Sequence, residues 1–207
     1  MTAAKINSLL QPFLDSHSIS PSKVQQVQLY LELLLKWNAK INLTAIRSEE
    51  EIVSRHFGES FFAAHHLAKT APRATSAVDV GSGAGFPGLP IKIWSPELSL
   101  ALVESNQKKA AFLREAVRTL ELRKVEVLAV RAQDLKSKFE IVTLRAVENF
   151  DSILPVAAAL LENGATIALL IGEPQIAAAR RLLPNLAWRD PISIPGSLQR
   201  ILLIGTH

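Results

Sequence analysis

Two kinds of apolar spacing divide the chain, with the change near residues 71–77 (APRATSA). Upstream, the spacing is helical. Ser20 followed by Pro21 reads as an N-cap and first helical residue. Val24, Val27, Leu31 and Leu34 then recur at i, i+3, i+7 and i+10, with Trp37 ending the stripe. A second helix is predicted from Ser48, where Ser48 and Glu51 form a capping box. Its apolar face runs through Ile52, Phe57, Phe61, Ala64 and Ala68. The triplet Glu49, Glu50 and Glu51 reads as charge that complements the start of the helix rather than as a metal cluster.

Downstream, short apolar runs alternate with helical stretches. Residues 77–80, 98–103, 125–130, 141–144 and 165–171 read as strands buried on both faces. Between the second and third lies 107–122, with Ala110, Leu113, Val117 and Leu120 on one helical face. Such alternation implies a parallel sheet with right-handed crossovers. The tail, 186–194 and 199–205, reads as two strands joined through Pro195 and Gly196, a closing antiparallel pair at one sheet edge. The expectation is a doubly wound, Rossmann-like α/β fold. A helical segment over 1–72 packs on a core over 73–207, and the two form one compact unit.

Composition narrows the class. Of 207 residues, 48% are hydrophobic and 20% charged, the balance of a globular core rather than a disordered chain. With no cysteine, disulfides and thiolate metal sites are excluded. Residues 1–14 carry Asn7, Ser8 and Gln11 and lack a signal-peptide core. No apolar run approaches the roughly 18 residues that span a bilayer, since 153–161 is stopped by Glu162. A monomeric, cytoplasmic protein without a membrane partner is expected. The formal charge of +4 mildly favours a polyanionic partner.

The most informative segment runs from Val78 to Gly88, with glycines at 81, 83, 85 and 88. It follows the first strand and opens a helix, which places a ligand at the carboxyl edge of the sheet. Two patterns fit. Asp79-x-Gly81-x-Gly83-x-Gly85 is that of S-adenosylmethionine methyltransferases, and Gly83-x-Gly85-x-x-Gly88 satisfies the dinucleotide fingerprint. Glu104, ending the second strand, suits ribose hydroxyls in either case. Methyl transfer is favoured by the acid at 79, by Pro87 and Pro90 at the helix start, and by the lack of a second domain for a hydride acceptor. The lone tyrosine, Tyr30, lies in the N-terminal helix, away from reductase chemistry.

From Leu33 to Leu203 the chain resembles the bacterial 16S rRNA guanine-N7 methyltransferase G family, also called glucose-inhibited division protein B. The segment Asp79-Val-Gly-Ser-Gly-Ala-Gly-Phe-Pro-Gly88 carries most of the likeness. Trp37-Asn38, Asn42-Leu43-Thr44, Arg55-His56 and Glu59-Ser60 match before it. Ser105-Asn106-x-Lys108-Lys109, Phe112-Leu113, Arg131-Ala132 and Arg145-Ala146 match after it. The resemblance implies S-adenosylmethionine as cofactor and 16S rRNA, or a small-subunit particle, as partner. It implies that Gly81, Gly83, Gly85 and Phe86 line the cofactor pocket, with Glu104 at its ribose end. Ala132 and Gln133 would lie along the adenine, and Arg145 near the methionine end or the RNA. Arg131 and Arg200 match basic positions associated with RNA. Gln133, Glu59, Leu144 and Ile171 stand where the family usually has Glu, Asp, Ser and Lys.

Guanine N7 has an exposed lone pair and no proton, so no general base is expected, only positioning and exclusion of water. In A-form RNA that atom lies in a groove side chains cannot read, so the target guanine must be in a loop or turned out. Lys108, Lys109, Arg114, Arg118, Arg123 and Lys124 form a basic stretch, read either as phosphate contacts or as a solvated face. Arg180-Arg181 reads the same two ways. His65-His66 points two ways on a helix and makes no metal site. His56 reads equally as a buried hydrogen-bonded histidine or a functional one. Trp37, Trp94 and Trp188 read as core rather than stacking platforms. For Arg145 the structural alternative is pairing with a nearby carboxylate such as Glu148. Two rival classes stay open: a nicotinamide-dependent oxidoreductase, and a non-catalytic RNA-binding protein on a degenerate methyltransferase fold, suggested by Ile171 in place of the lysine.

Overall fold

The structure, a computed structural model, describes residues 1–15, 18–145 and 149–207. Four helices come first: α1 (Ala3–Leu10), α2 (Pro21–Asn38), α3 (Glu49–Ile52) and α4 (Glu59–Thr70). There follow β1 (Ser76–Val80), α5 (Gly88–Trp94), β2 (Ser99–Val103), α6 (Gln107–Thr119), β3 (Val125–Leu128) and β4 (Phe139–Arg145). The chain continues through α7 (Phe150–Ala158), β5 (Leu161–Gly172), α8 (Ile176–Leu182), β6 (Ala187–Trp188), β7 (Ile192–Ser193) and β8 (Arg200–Thr206).

Side-chain caps start α1, α2, α3 and α6. The Ser20 hydroxyl accepts from the Lys23 N–H at 3.4 Å, and Pro21 fills the first position of α2. Val24, Val27, Leu31 and Leu34 are all buried, joined by Tyr30 and Leu33. The second helix differs from its expected form. Ser48 caps it by accepting from the Glu51 N–H at 3.4 Å, but the Glu51 carboxylate takes Arg55, one turn on, at 2.7 Å. The box is half made because the i,i+4 ion pair claims its acid. Val53–Gly58 then forms a π-helical turn between α3 and α4. The wider turn shifts the apolar stripe, so Leu67 is buried while Ala68, expected on that face, is exposed.

The sheet order is β3-β2-β1-β4-β5-β8-β6, with β7 also on β8. Strands β1 to β5 pair in parallel, whereas β8 runs antiparallel to β5. The order reverses between β1 and β4, which is where doubly wound sheets open a crevice for ligands. Side chains alternate across the sheet. Ala77, Leu100, Leu102, Ile141, Ala168, Leu170, Leu202 and Ile204 share one core with α1, α2, α4, α5 and α6. Val78, Val80, Ala101, Val103, Val142, Leu144, Ile167 and Leu169 share the other with α7 and α8. Each fully buried valine, leucine or isoleucine among them contributes about 1.5–3 kcal/mol of hydrophobic stabilisation.

Two strand expectations need correction. β3 ends at Leu128 and is only partly buried, because it is the edge strand. The run 186–194 is not one strand but β6 and β7, with Pro191 between them, a residue with no N–H for the ladder. Among the described residues no helix is long and apolar enough to cross a membrane.

Candidate active site

The glycine loop begins where β1 ends. The N–H groups of Gly81 and Ser82 both donate to the Val103 carbonyl, at 2.9 and 3.0 Å, so the loop folds across the end of β2. Gly83 and Gly85 both have positive φ, +54° and +85°, yet they serve different needs. A Cβ on Gly85 would strike the Tyr30 hydroxyl and lie 2.6 Å from Leu89 Cδ1, so this glycine lets the turn pack against α2. A Cβ on Gly83 would meet nothing nearer than the Gly81 carbonyl at 3.8 Å, so that backbone faces open space. Gly85 is therefore a packing residue here rather than a lining one.

Two acids brace the loop. Glu104 accepts from the Gly83 N–H at 2.9 Å and from the Asn106 N–H at 2.7 Å. Each oxygen keeps a lone pair for another donor. Asp79 is buried opposite Thr143 on β4. It accepts from the Thr143 hydroxyl at 2.8 Å and from the Gly88 N–H at 3.3 Å, which ties the start of α5 to β1. Burial pushes its carboxyl up to about 6, against the opposing hydrogen bonds.

Over this loop lies a cleft of about 580 Å³ lined by Gly81–Ala84, Phe86, Glu104–Asn106, Lys109, Arg145 and Ile153, with Leu43–Ala45 and His56 forming the far wall. That volume lies within the range of about 300–1,000 Å³ usual for small-molecule sites. Asn38 shapes the far wall: its Oδ1 accepts from the Leu43 and Thr44 N–H groups at 2.9 and 3.0 Å, and its Nδ2 donates to the Thr44 carbonyl at 3.0 Å. Phe86 is stacked between two rings, His56 at 4.8 Å and Tyr30 at 5.2 Å between centroids. The Tyr30 hydroxyl donates to the Ala84 carbonyl, so the only tyrosine of the chain is a brace for the loop.

His56 comes from the π-helical turn, and its hydrogen bonds assign its tautomer. Arg145 Nη1 lies 2.9 Å from Nδ1, and a guanidinium only donates, so Nδ1 accepts. The proton therefore sits on Nε2 and is donated to the Thr44 hydroxyl at 2.8 Å. Burial and then the charges of Arg145, Arg55 and Arg200 push His56 down to about 3, which keeps the ring neutral. Thr44 Oγ1 also accepts from the Ile46 N–H at 3.1 Å. Its two lone pairs are thus used, and its own O–H remains for an acceptor in the cleft.

Arg145 ends β4 and lines the cleft, but its donors turn inward. Nη2 reaches the Arg55 carbonyl at 2.7 Å and the Glu59 carboxylate at 3.0 Å. Glu59, 1% exposed, also takes Arg200 Nε at 2.7 Å. The carboxylate that pairs with Arg145 is therefore Glu59 of α4, and Glu148 lies outside the described residues. Burial is the main reason the Arg145 pKa is lowered, and Glu59 opposes that shift.

The structure thus brings Gly81, Gly83, Phe86, Glu104 and Arg145 to one cleft. It does not bring Gly85, Ala132, Gln133, Arg131 or Arg200 to its lining. Ala132 is buried in a short 3-10 turn beyond β3, with Gln133 and Arg131 exposed beside it. Lys109, Thr44 and Ile153 line the cleft without having been assigned a role in it. Lys109 was visible as part of a basic run, and Thr44 as part of the Asn42-Leu43-Thr44 match. Nothing at Ile153 marked it. The basic stretch divides as well: Lys124 pairs with Glu97 at 2.9 Å, while Arg114 and Arg118 are exposed on α6. Arg181 pairs with Asp151 at 3.1 Å.

Comparison with known proteins accords with this geometry. Ribosomal RNA small subunit methyltransferase G of Roseiflexus sp. (strain RS-1) is 40% identical over 200 residues, covering 88% of this chain and 82% of that protein. The protein of the same name from Chloroflexus aggregans is 38% identical over 201 residues, covering 91% and 83%. In fold, the chain is similar to magnesium protoporphyrin IX methyltransferase from Synechocystis PCC 6803, with a TM-score of 0.67 at 11% identity over 93% of this chain and 100% of that one. The family described as rRNA small subunit methyltransferase G matches residues 23–182, from α2 through the whole cleft to the end of α8, and the chain belongs to that family.

Proposed function

We propose that the chain transfers a methyl group from S-adenosylmethionine to N7 of a guanine in 16S ribosomal RNA. The observation that carries the reading is the pairing of Gly83, whose Cα faces open space, with Glu104, which holds the Gly83 N–H at 2.9 Å. The residues suit the cofactor: glycine backbone admits close approach, and the remaining lone pairs of Glu104 suit a ribose diol. When bound, the cofactor supplies an electrophilic methyl on a sulfonium.

The chain's own residues then position and shield. Phe86, buried and stacked on neutral His56, gives the cleft an aromatic wall. His56 has both nitrogens occupied and a pKa near 3, so it is not a general base. Asp79 is spent on Thr143 and Gly88. Among the described residues His56 and Asp79 are both committed to protein partners and Glu104 holds the loop backbone, an arrangement that suits N7, a nucleophile with no proton to lose. Arg145 organises His56 and Glu59, and Arg131 remains an exposed cation for the RNA backbone. Arg200, with its side chain 34% exposed, is shared between Glu59 and solvent.

Incubating the protein with radiolabelled S-adenosylmethionine and 16S rRNA, then digesting the RNA, should yield 7-methylguanosine as the labelled nucleoside. Calorimetry should show micromolar S-adenosylmethionine binding and none comparable for NAD. Tight NAD binding would overturn the class. RNA binding without label transfer would make this a binding module instead.

A further inference from the structure

Beside the cleft lies a second cavity, of about 400 Å³, between the end of α2 and the first turns of α6. Its floor is apolar, made by Trp37, Ile41 and Ala111, and its rim carries Lys36, Lys40 and Lys108. All three lysines are exposed, and among the described residues none is in an ion pair. Glu115 sits at the other end, where it accepts from the Trp37 indole N–H at 3.2 Å. That bond, with the edge contact of Trp37 to Phe112 at 5.8 Å, fixes the indole as a rigid wall.

The groove and the cleft share both walls. Lys108 lines the groove and Lys109 the cleft, on the same first turn of α6. Ile41 lines the groove and Leu43 the cleft, in the loop that Asn38 holds. A polymer with one unit in the cleft would pass directly into the groove. We propose that this groove binds the single-stranded RNA flanking the target guanine, with the lysines on its phosphates and a neighbouring base or ribose on the Trp37–Ile41 floor. Unpaired ammonium groups around a flat apolar surface are the combination that single-stranded nucleic acid takes, through counterion release and stacking. The inference rests on the reading that the cleft methylates RNA.

The test is K36E/K40E/K108E, three exposed substitutions outside the cleft lining, assayed on 16S rRNA with labelled S-adenosylmethionine. Cofactor affinity should stay within about twofold, while KM for RNA rises at least tenfold. The slope of log KM against log salt should fall by about 2, from about 0.7 per phosphate contact on single strands. In parallel, wild-type protein is photo-crosslinked to RNA carrying 4-thiouridine beside the target, and label should enter peptides containing residues 36–41 or 107–115. Unchanged KM and salt slope, or label confined to other peptides, would overturn the proposal. So would wild-type kinetics on protein-free RNA with a defect only on assembled particles, which would assign the groove to a ribosomal protein. A wild-type enzyme that labels no RNA would instead refute the functional reading itself.

Discussion

Replacing Glu59 with glutamine probes the charge at the centre of the site. The side chain is 1% exposed and holds Arg145 on one oxygen and Arg200 on the other. Glutamine preserves the shape but removes the charge and converts one oxygen into an NH₂ group, so one arginine then faces a donor. Arg145, 11% exposed, dominates the cost, because breaking a buried ion pair from one side costs about 3–5 kcal/mol. Arg200 is 34% exposed, so water screens it and its share is about 0.5 kcal/mol or less. The amide oxygen can still serve Arg145, which puts the expected loss near the low end, about 3 kcal/mol. For a chain of this size that corresponds to a melting temperature lower by about 6–12 °C. Urea unfolding of both proteins, with m-values compared, measures it. Glu59→Asp, which keeps the charge, should lose less than half as much. A loss below about 1 kcal/mol for glutamine, or equal losses for both variants, would refute the claim that a buried charge is what Glu59 provides.

Two further outcomes follow from the loop. Gly83→Val should abolish S-adenosylmethionine binding in calorimetry while the far-ultraviolet circular dichroism spectrum is retained, because its Cβ meets no protein atom nearer than 3.8 Å and the side chain projects into the cleft. A lowered melting temperature should accompany the loss, since a β-branched residue is strained at a φ of +54°, and retained affinity would show that the cofactor lies elsewhere. Asp79, raised from 3.8 to about 6, contributes stability that is present below about pH 4 and lost as pH rises through 6, because the folded state binds the proton more tightly. The stability of wild type relative to Asp79→Asn should therefore fall across that window, by at most about 1.4 kcal/mol per pH unit. The depressed His56 works in the opposite direction, but both proteins carry it and it cancels in the difference. A difference independent of pH would refute the buried acid.

Much of this protein was legible in its sequence because the signals are local. A cap at Ser20, alternating apolar runs and a glycine loop after the first strand act within a few residues, and they appear where expected. Gly81, Gly83, Phe86 and Glu104 reach the cleft because a strand end and its following loop carry them there whatever the rest of the chain does. The tertiary structure decided the remainder. Glu59 and Arg200 lie 141 residues apart, and nothing in either neighbourhood announces the other. The tautomer of His56, the inward turn of Arg145 and the packing role of Gly85 depend on which groups the fold brings opposite them. The lysine groove likewise exists only because α2 lies against α6. Periodicity records which face of an element is apolar. Only the packed chain sets which buried donor meets which acceptor, because an unpartnered charge in the interior costs too much for the fold to leave that pairing open.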